Sequence, residues 1–180
     1  IGRHIGWPVH GSIELIQRMQ QEGALKMRVY AMVADAPENL DHFARHGAIN
    51  EERLKVRSVK VYADGALGSR GALLKRPYSD APGQHGLQLA SRAHFLEVAQ
   101  WCKAHGFQMN THCIGDSANA LLLDVYGEVL GGVNDLRWRI EHAQVLSPED
   151  RAKFGRYSII PSVQPTHATS DGPWAEQRLG

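Results

Sequence analysis

Four side chains in the 180-residue sequence could bind a metal ion: Lys60, Asp64, His112 and His142. Imidazole nitrogens and carboxylate oxygens are the ordinary protein ligands of divalent cations. Lys60 is the unusual member, because it lies in the apolar run Val56, Val59, Val61, where an unpaired ammonium would be costly to bury. A neutral lysine can react with carbon dioxide to form a carbamate, an anion whose two oxygens could bridge two cations. The alternative is a salt bridge to Asp64 or to an acid on a neighbouring strand. One histidine near a strand end is ordinarily a hydrogen-bonded structural residue, but two at the ends of successive strands point toward a shared ligand.

These residues must be delivered by the elements around them. The pattern predicts a helix over 12–22, with Ser12 as N-cap and Gly23 as its stop, then a strand over 27–33. A turn at 35–37 leads to a helix over 38–46 closed by Gly47, and a second strand covers 56–63. After a loop rich in Gly, Pro, Ser and Asp over 64–90, a helix runs from Ser91 to about His105 with Gly106 as its C-cap. Strands over 107–112, 137–142 and 158–163 follow. They are separated by a helix over 117–130, capped by Asp116, and by one opening at Ser147 with Glu149 and Asp150 in its first turn. Five strands alternating with helices, with no composition break, argue for one α/β unit around a parallel sheet.

In such sheets the C-terminal strand ends form the functional face, so residues distant in sequence can meet there. Alternation groups Ser58, Lys60, Tyr62 and Asp64 on one face, Gln108, Asn110 and His112 on one, and Trp138, Ile140 and His142 on one. Thirty residues separate His112 from His142, which suits one strand-to-strand step. The fifty-two between Lys60 and His112 include the surplus loop. That loop is expected to cover the metal site and to contact substrate through Arg70, Tyr78 or His85, since unstructured loops beyond about 15 residues are usually functional or disordered. The segment THATSDGPW carries too many turn formers for a helix, which places His167 and Asp171 on the functional face. There His167 either contacts substrate or makes a structural hydrogen bond.

Other residues carry less. Gly65, Gly68 and Gly71 have neither a dinucleotide fingerprint nor a P-loop's Lys-Ser/Thr, and read as a flexible loop. His42 and His46 lie four apart on a helix without the glutamate of a metalloprotease motif. Cys113 points away from its neighbour His112 on a strand, so it reads as a small buried hydrophobe, and Arg139 and Glu141 read as partners of each other. Twenty Lys and Arg against nineteen Asp and Glu leave a net charge of +1, which offers no basic field for nucleic acid or acidic lipid. Two cysteines make no disulfide framework, and no apolar run approaches the roughly 20 residues of a membrane span, so the cytoplasm is the expected compartment. A chain that opens on Ile1 reads as a fragment.

Four ordered segments, VKVYADGALGSRGALL (59–74), NTHCIGDSAN (110–119), RIEHAQVLSPED (139–150) and SVQPTHATSDGPWAEQRLG (162–180), resemble the metal-dependent amidohydrolase superfamily, and within it the N-substituted formamide deformylase-like branch. The resemblance implies a (β/α)8 barrel that hydrolyses amide-like C–N bonds of a small molecule through a metal-bound hydroxide. One or two divalent ions, zinc first among them, would be held by a His-x-His pair after the first strand, a carboxylated lysine on the fourth, histidines on the fifth and sixth, and an aspartate on the eighth, which also acts as base. Carried over by motif, Lys60 is the bridging lysine and His112 and His142 are the two later histidines. The sequence contains no His-x-His and ends before an eighth strand. A full barrel takes about 250 residues, so the segment is expected to hold strands three to seven and to be inactive by itself. Its open edges and apolar face make a homo-oligomer an expectation. The competing reading is a non-catalytic α/β binding module in which the same residues form a polar core.

Overall fold

The computed structural model describes residues 9–180; the reading of the opening residues Ile1 to Pro8 lies outside them. Helix α1 (Val9–Gln21) precedes strand β1 (Val29–Ala34), helix α2 (Pro37–His46), the two-residue β2 (Ile49–Asn50) and strand β3 (Leu54–Tyr62). Then follow α3 (Arg92–His105), β4 (Gln108–Cys113), α4 (Asp116–Leu130), β5 (Arg139–His142), α5 (Pro148–Arg156) and β6 (Ile160–Ser162). Two C-terminal helices, α6 (Thr166–Ser170) and α7 (Gly172–Leu179), complete the chain. The sheet runs β1-β3-β4-β5-β6 with every neighbour parallel, a partial TIM-barrel-like α/β fold. β2 pairs antiparallel with Lys55 and Val56, on the edge of β3 that β4 reaches only from Ser58 onward. It is a sixth strand beyond the five expected, too short to carry any period of its own.

Helices cover one face of the sheet. Val33, Val59, Val61, Met109 and Ile140 are buried with Phe95, Val98 and Cys102 of α3 and Leu122, Leu123 and Tyr126 of α4. At about 25 cal/mol per Å² of apolar surface, this layer is the main source of stability. Tyr126 and Trp138 meet edge to face with centroids 4.9 Å apart, and their polar atoms are satisfied on the backbone carbonyls of Met109 and Phe107. The apolar positions of β3 change parity between Val56 and Val59, and the ladder shows why: Ala31 pairs with Val56 but Met32 pairs with Ser58, so a bulge at Arg57 re-phases the strand.

Helix termini follow the expected chemistry in most places. Ser91 caps α3 by accepting from the His94 amide at 3.2 Å, and Gly106 and Gly131 close α3 and α4 in the left-handed region. Two expected caps differ. Ser12 lies inside α1, and Asp116 is the first residue of α4 rather than its cap, its carboxylate accepting instead from the Lys75 amide at 2.9 Å.

The segment expected to be turns after β6 is helical. Pro173 sits in the first turn of α7, where a missing N–H costs nothing, and Trp174, Ala175 and Leu179 pack on Leu67, Leu74 and Tyr78 of the long loop. Tertiary burial overrides the local turn preference. Among the described residues, no helix is long and apolar enough to cross a membrane.

Candidate metal centre at the strand ends

His112 is the fifth residue of β4 and shares a face with Gln108 and Asn110, while Met109, Thr111 and Cys113 turn to the helices. His142, the last residue of β5, is paired in register with Cys113, so simple alternation would send its imidazole toward the helical layer with Trp138 and Ile140. It does not go there. His142 has φ +75° and Ala143 φ +43°, two consecutive non-glycine residues in the left-handed region, each costing about 1–3 kcal/mol. The turn they make brings the His142 ring edge-on to His112, with centroids 4.6 Å apart. The expected grouping of His142 with Trp138 and Ile140 is therefore corrected, while the meeting of the two histidines stands.

Lys60 enters the same space from β3. Its ammonium lies 4.2 Å from the centroid of the Tyr62 ring and donates to the Val61 carbonyl at 3.3 Å, and the Tyr62 ring is in turn 5.6 Å from that of His112. Among the described residues no carboxylate forms an ion pair with it, so the salt-bridge alternative is not realised. Burial pushes the Lys60 pKa down to about 8, against the pull of the Glu141 carboxylate. Burial likewise takes His112 down to about 4, helped by His142 and Lys60, and lowers His142 against its bond to Gln164. Both imidazoles are therefore neutral at pH 7, the form that donates a lone pair to a metal.

A third imidazole, His167 in α6, stacks on His142 with centroids 5.8 Å apart. Among the described residues no three His, Cys, Asp or Glu side chains converge to hold a metal ion. The donor set is two neutral imidazoles beside an amine of lowered basicity, and its chemistry fits part of a divalent site with the lysine as carbamate.

Asp64 is absorbed by the fold. It is buried, and its carboxylate accepts from the amides of Leu73 at 2.9 Å, Ile114 at 3.0 Å and Gly115 at 2.8 Å. Burial raises its pKa to about 6 while those three bonds pull the other way. His112 Nε2 lies 3.4 Å from both Asp64 Oδ1 and the Gly65 carbonyl; with the imidazole neutral this is a long polar contact rather than an ion pair.

The loop after β3 is built, not flexible. Gly65 and Gly71 approach so closely that a Cβ on Gly65 would stand 3.0 Å from the Gly71 Cα, and the Gly65 amide donates to the Gly71 carbonyl. Leu67, Ala72, Leu74 and Tyr78 form a second small core with Ile114 and α7. Within it the expected substrate contacts are engaged locally. Tyr78 is buried and donates to the Ala72 carbonyl at 2.7 Å, Arg70 holds Asp80 through two nitrogens, and His85 Nδ1 lies 3.2 Å from the Leu74 carbonyl. These contacts fasten the loop to itself; of the four expected substrate residues only His167 adjoins the histidines. Lys75 pins the loop to α5 through Ser147, Glu149 and Asp150.

Two further readings hold. Cys113 is buried and free, and Arg139 pairs with Glu141 at 2.6 Å. Pattern reading missed Gln164, whose Oε1 lies 2.7 Å from His142 Nδ1, and the bond from Gln144 to Asp171 at 2.7 Å. Nothing in a lone Gln-Pro dipeptide signals such a partner.

A parallel α/β sheet with imidazoles at its strand ends is a partial TIM-barrel-like scaffold, and similarity to known proteins makes its family specific. The model of the amidohydrolase family matches residues 8–180, and the chain belongs to that family. It is 37% identical over 143 residues to Protein LONG AFTER FAR-RED 3 of Arabidopsis thaliana, and 33% identical over 143 residues to "Putative amidohydrolase YtcJ" of Bacillus subtilis (strain 168). These matches take in 78% and 79% of this chain but 24% and 27% of those proteins, so the chain spans about a quarter of their length. An uncharacterized metal-dependent hydrolase from Pyrococcus furiosus superposes with TM-score 0.83 at 31% identity, over 94% of this chain and 35% of that one. Its counterpart from Pyrococcus horikoshii gives TM-score 0.83 at 30% identity, over 94% of this chain and 34% of that one.

Proposed function

We propose that the protein containing this segment is a metal-dependent hydrolase of the N-substituted formamide deformylase-like branch, cleaving amide-like C–N bonds of a small molecule in the cytoplasm. The described sheet supplies strands three to seven of its barrel. One observation carries the reading: His112 and His142, thirty residues apart, meet as neutral imidazoles beside an amine of lowered basicity. His112 and His142 would hold a divalent ion, zinc in the first place. Lys60 would join them after its neutral amine adds to carbon dioxide, forming the N–C bond of a carbamate and releasing a proton. Such an ion, when bound, polarises the scissile carbonyl and supplies metal-bound hydroxide at neutral pH by lowering the pKa of water toward roughly 7. His167, which stacks on His142, would orient the substrate. A nucleic-acid partner is not part of the reading, and the segment alone, whose sheet ends at β1 and β6 among the described residues, would be inactive, would carry Lys60 unmodified and would self-associate.

Elemental analysis of the complete protein is expected to show on the order of one or two equivalents of divalent metal. His112→Ala with His142→Ala should abolish both metal content and hydrolysis; retention of both would refute the reading. A metal-free complete protein would favour the binding module.

A further inference from the structure

We propose that Gln164 is the positioning residue for His142, accepting its Nδ1 proton and so leaving Nε2 as the unprotonated nitrogen available to a cation. The cation clause rests on the function proposed above; the tautomer does not. Register with Cys113 would place the His142 side chain on the helical face, and the left-handed backbone at His142 and Ala143 turns it to the opposite side. A side chain held so far from its default direction needs a partner. Gln164 supplies it from the connection after β6, its Oε1 2.7 Å from Nδ1. A carbonyl oxygen only accepts, so the proton must be on Nδ1. The same two connections are tied a second time. Gln144 donates to Asp171 Oδ2 at 2.7 Å, and the Asp171 amide donates to the His167 carbonyl at 3.0 Å, which holds the stacked third ring in place. Two glutamines thus brace the strand ends of β5 and β6 around His142, and ligating histidines characteristically have their second nitrogen fixed in this way.

The test is ¹⁵N NMR of the imidazoles in the complete protein, with zinc titrated as the probe, for the parent, Gln164→Met, Gln164→Asn and Gln164→Glu. The parent should show His142 as the Nδ1–H tautomer. Met removes the acceptor and Asn cannot reach, so both should move His142 toward Nε2–H and weaken zinc binding roughly 10–100-fold. Glu keeps an acceptor and should restore both. If the Met variant does not fold, the Asn variant decides. A parent with Nε2–H overturns the proposal, as does an unchanged Nδ1–H tautomer in the Asn variant, or a changed tautomer with unchanged zinc affinity. A parent with the expected tautomer that binds no zinc supports the positioning of the ring and sinks the metal reading instead.

Discussion

Two junctions on the same rim of the sheet treat their polar groups in opposite ways. Where β3 and β4 meet the long loop, three polar groups are consumed by the chain itself: Asp64 accepts three amides, Tyr78 is bonded inside its own loop, and Lys75 ties the loop to α5. Where β5 meets β6, the backbone is strained at His142 and Ala143, and one nitrogen of the imidazole is used while the other is left over. A saturated junction is what a brace requires. A strained junction with an unsatisfied lone pair is what a ligand site requires, because strain persists only where the surroundings over-determine it. The loop expected to cover the metal site is fastened to the strand ends and to α5.

The largest test of this contrast is Asp64→Ala. It strands two buried amides and one half-buried one, each costing about 1–3 kcal/mol, so denaturant unfolding should show a loss of at least about 3 kcal/mol. Gly115→Ala should act in the same direction by about 1–3 kcal/mol, because its Cβ would overlap the Leu73 carbonyl. His142→Ala, at the other junction, should cost far less stability. If it destabilises as much as Asp64→Ala, the two junctions are not different in kind.

Tyr78→Phe sharpens the contrast at lower amplitude. As a brace residue it should cost about 1 kcal/mol through the lost bond to Ala72 and leave the substrate KM of the complete protein unchanged. A raised KM with unchanged stability would return Tyr78 to the role expected of it from the loop's length alone.

Much of this arrangement is legible in the sequence itself. Runs such as MRVYAMV and VRSVKVYA separated by glycine-stopped helices dictate a parallel sheet, and Lys60, His112 and His142 follow from their strand ends. What was not legible is non-local. The His142 turn reverses alternation at one residue, the bulge at Arg57 shifts phase by one, β2 is a dipeptide, and α7 exists because Trp174 and Leu179 find a loop core more than ninety residues upstream. Reading Tyr78 as a substrate contact failed to anticipate that core. Its side chain is large enough to serve as the centre of a small cluster, and the loop's glycines let backbone pack on backbone around it.

The smallest expected effect lies in pH, because two neighbouring groups where β3 meets β4, Asp64 and His112, titrate against each other. His112 has a folded pKa of about 4, below its unfolded value near 6.5, so the unfolded state binds more protons between these limits and stability falls as pH drops through the window. Asp64 has a folded pKa of about 6, above its unfolded value near 3.9, so the folded state binds more protons there and stability rises as pH drops. The opposing slopes partly offset each other in the metal-free parent from about pH 6 to about pH 4, with the lowered His142 adding to the slope of His112. His112→Ala removes one slope and keeps the other. Relative to the parent, its Tm should therefore climb as pH falls across that range, a comparison in which all the other carboxylates cancel. A Tm difference independent of pH would mean that His112 is not desolvated in the folded chain, and the imidazole pair would lose the neutrality on which its ligand chemistry depends.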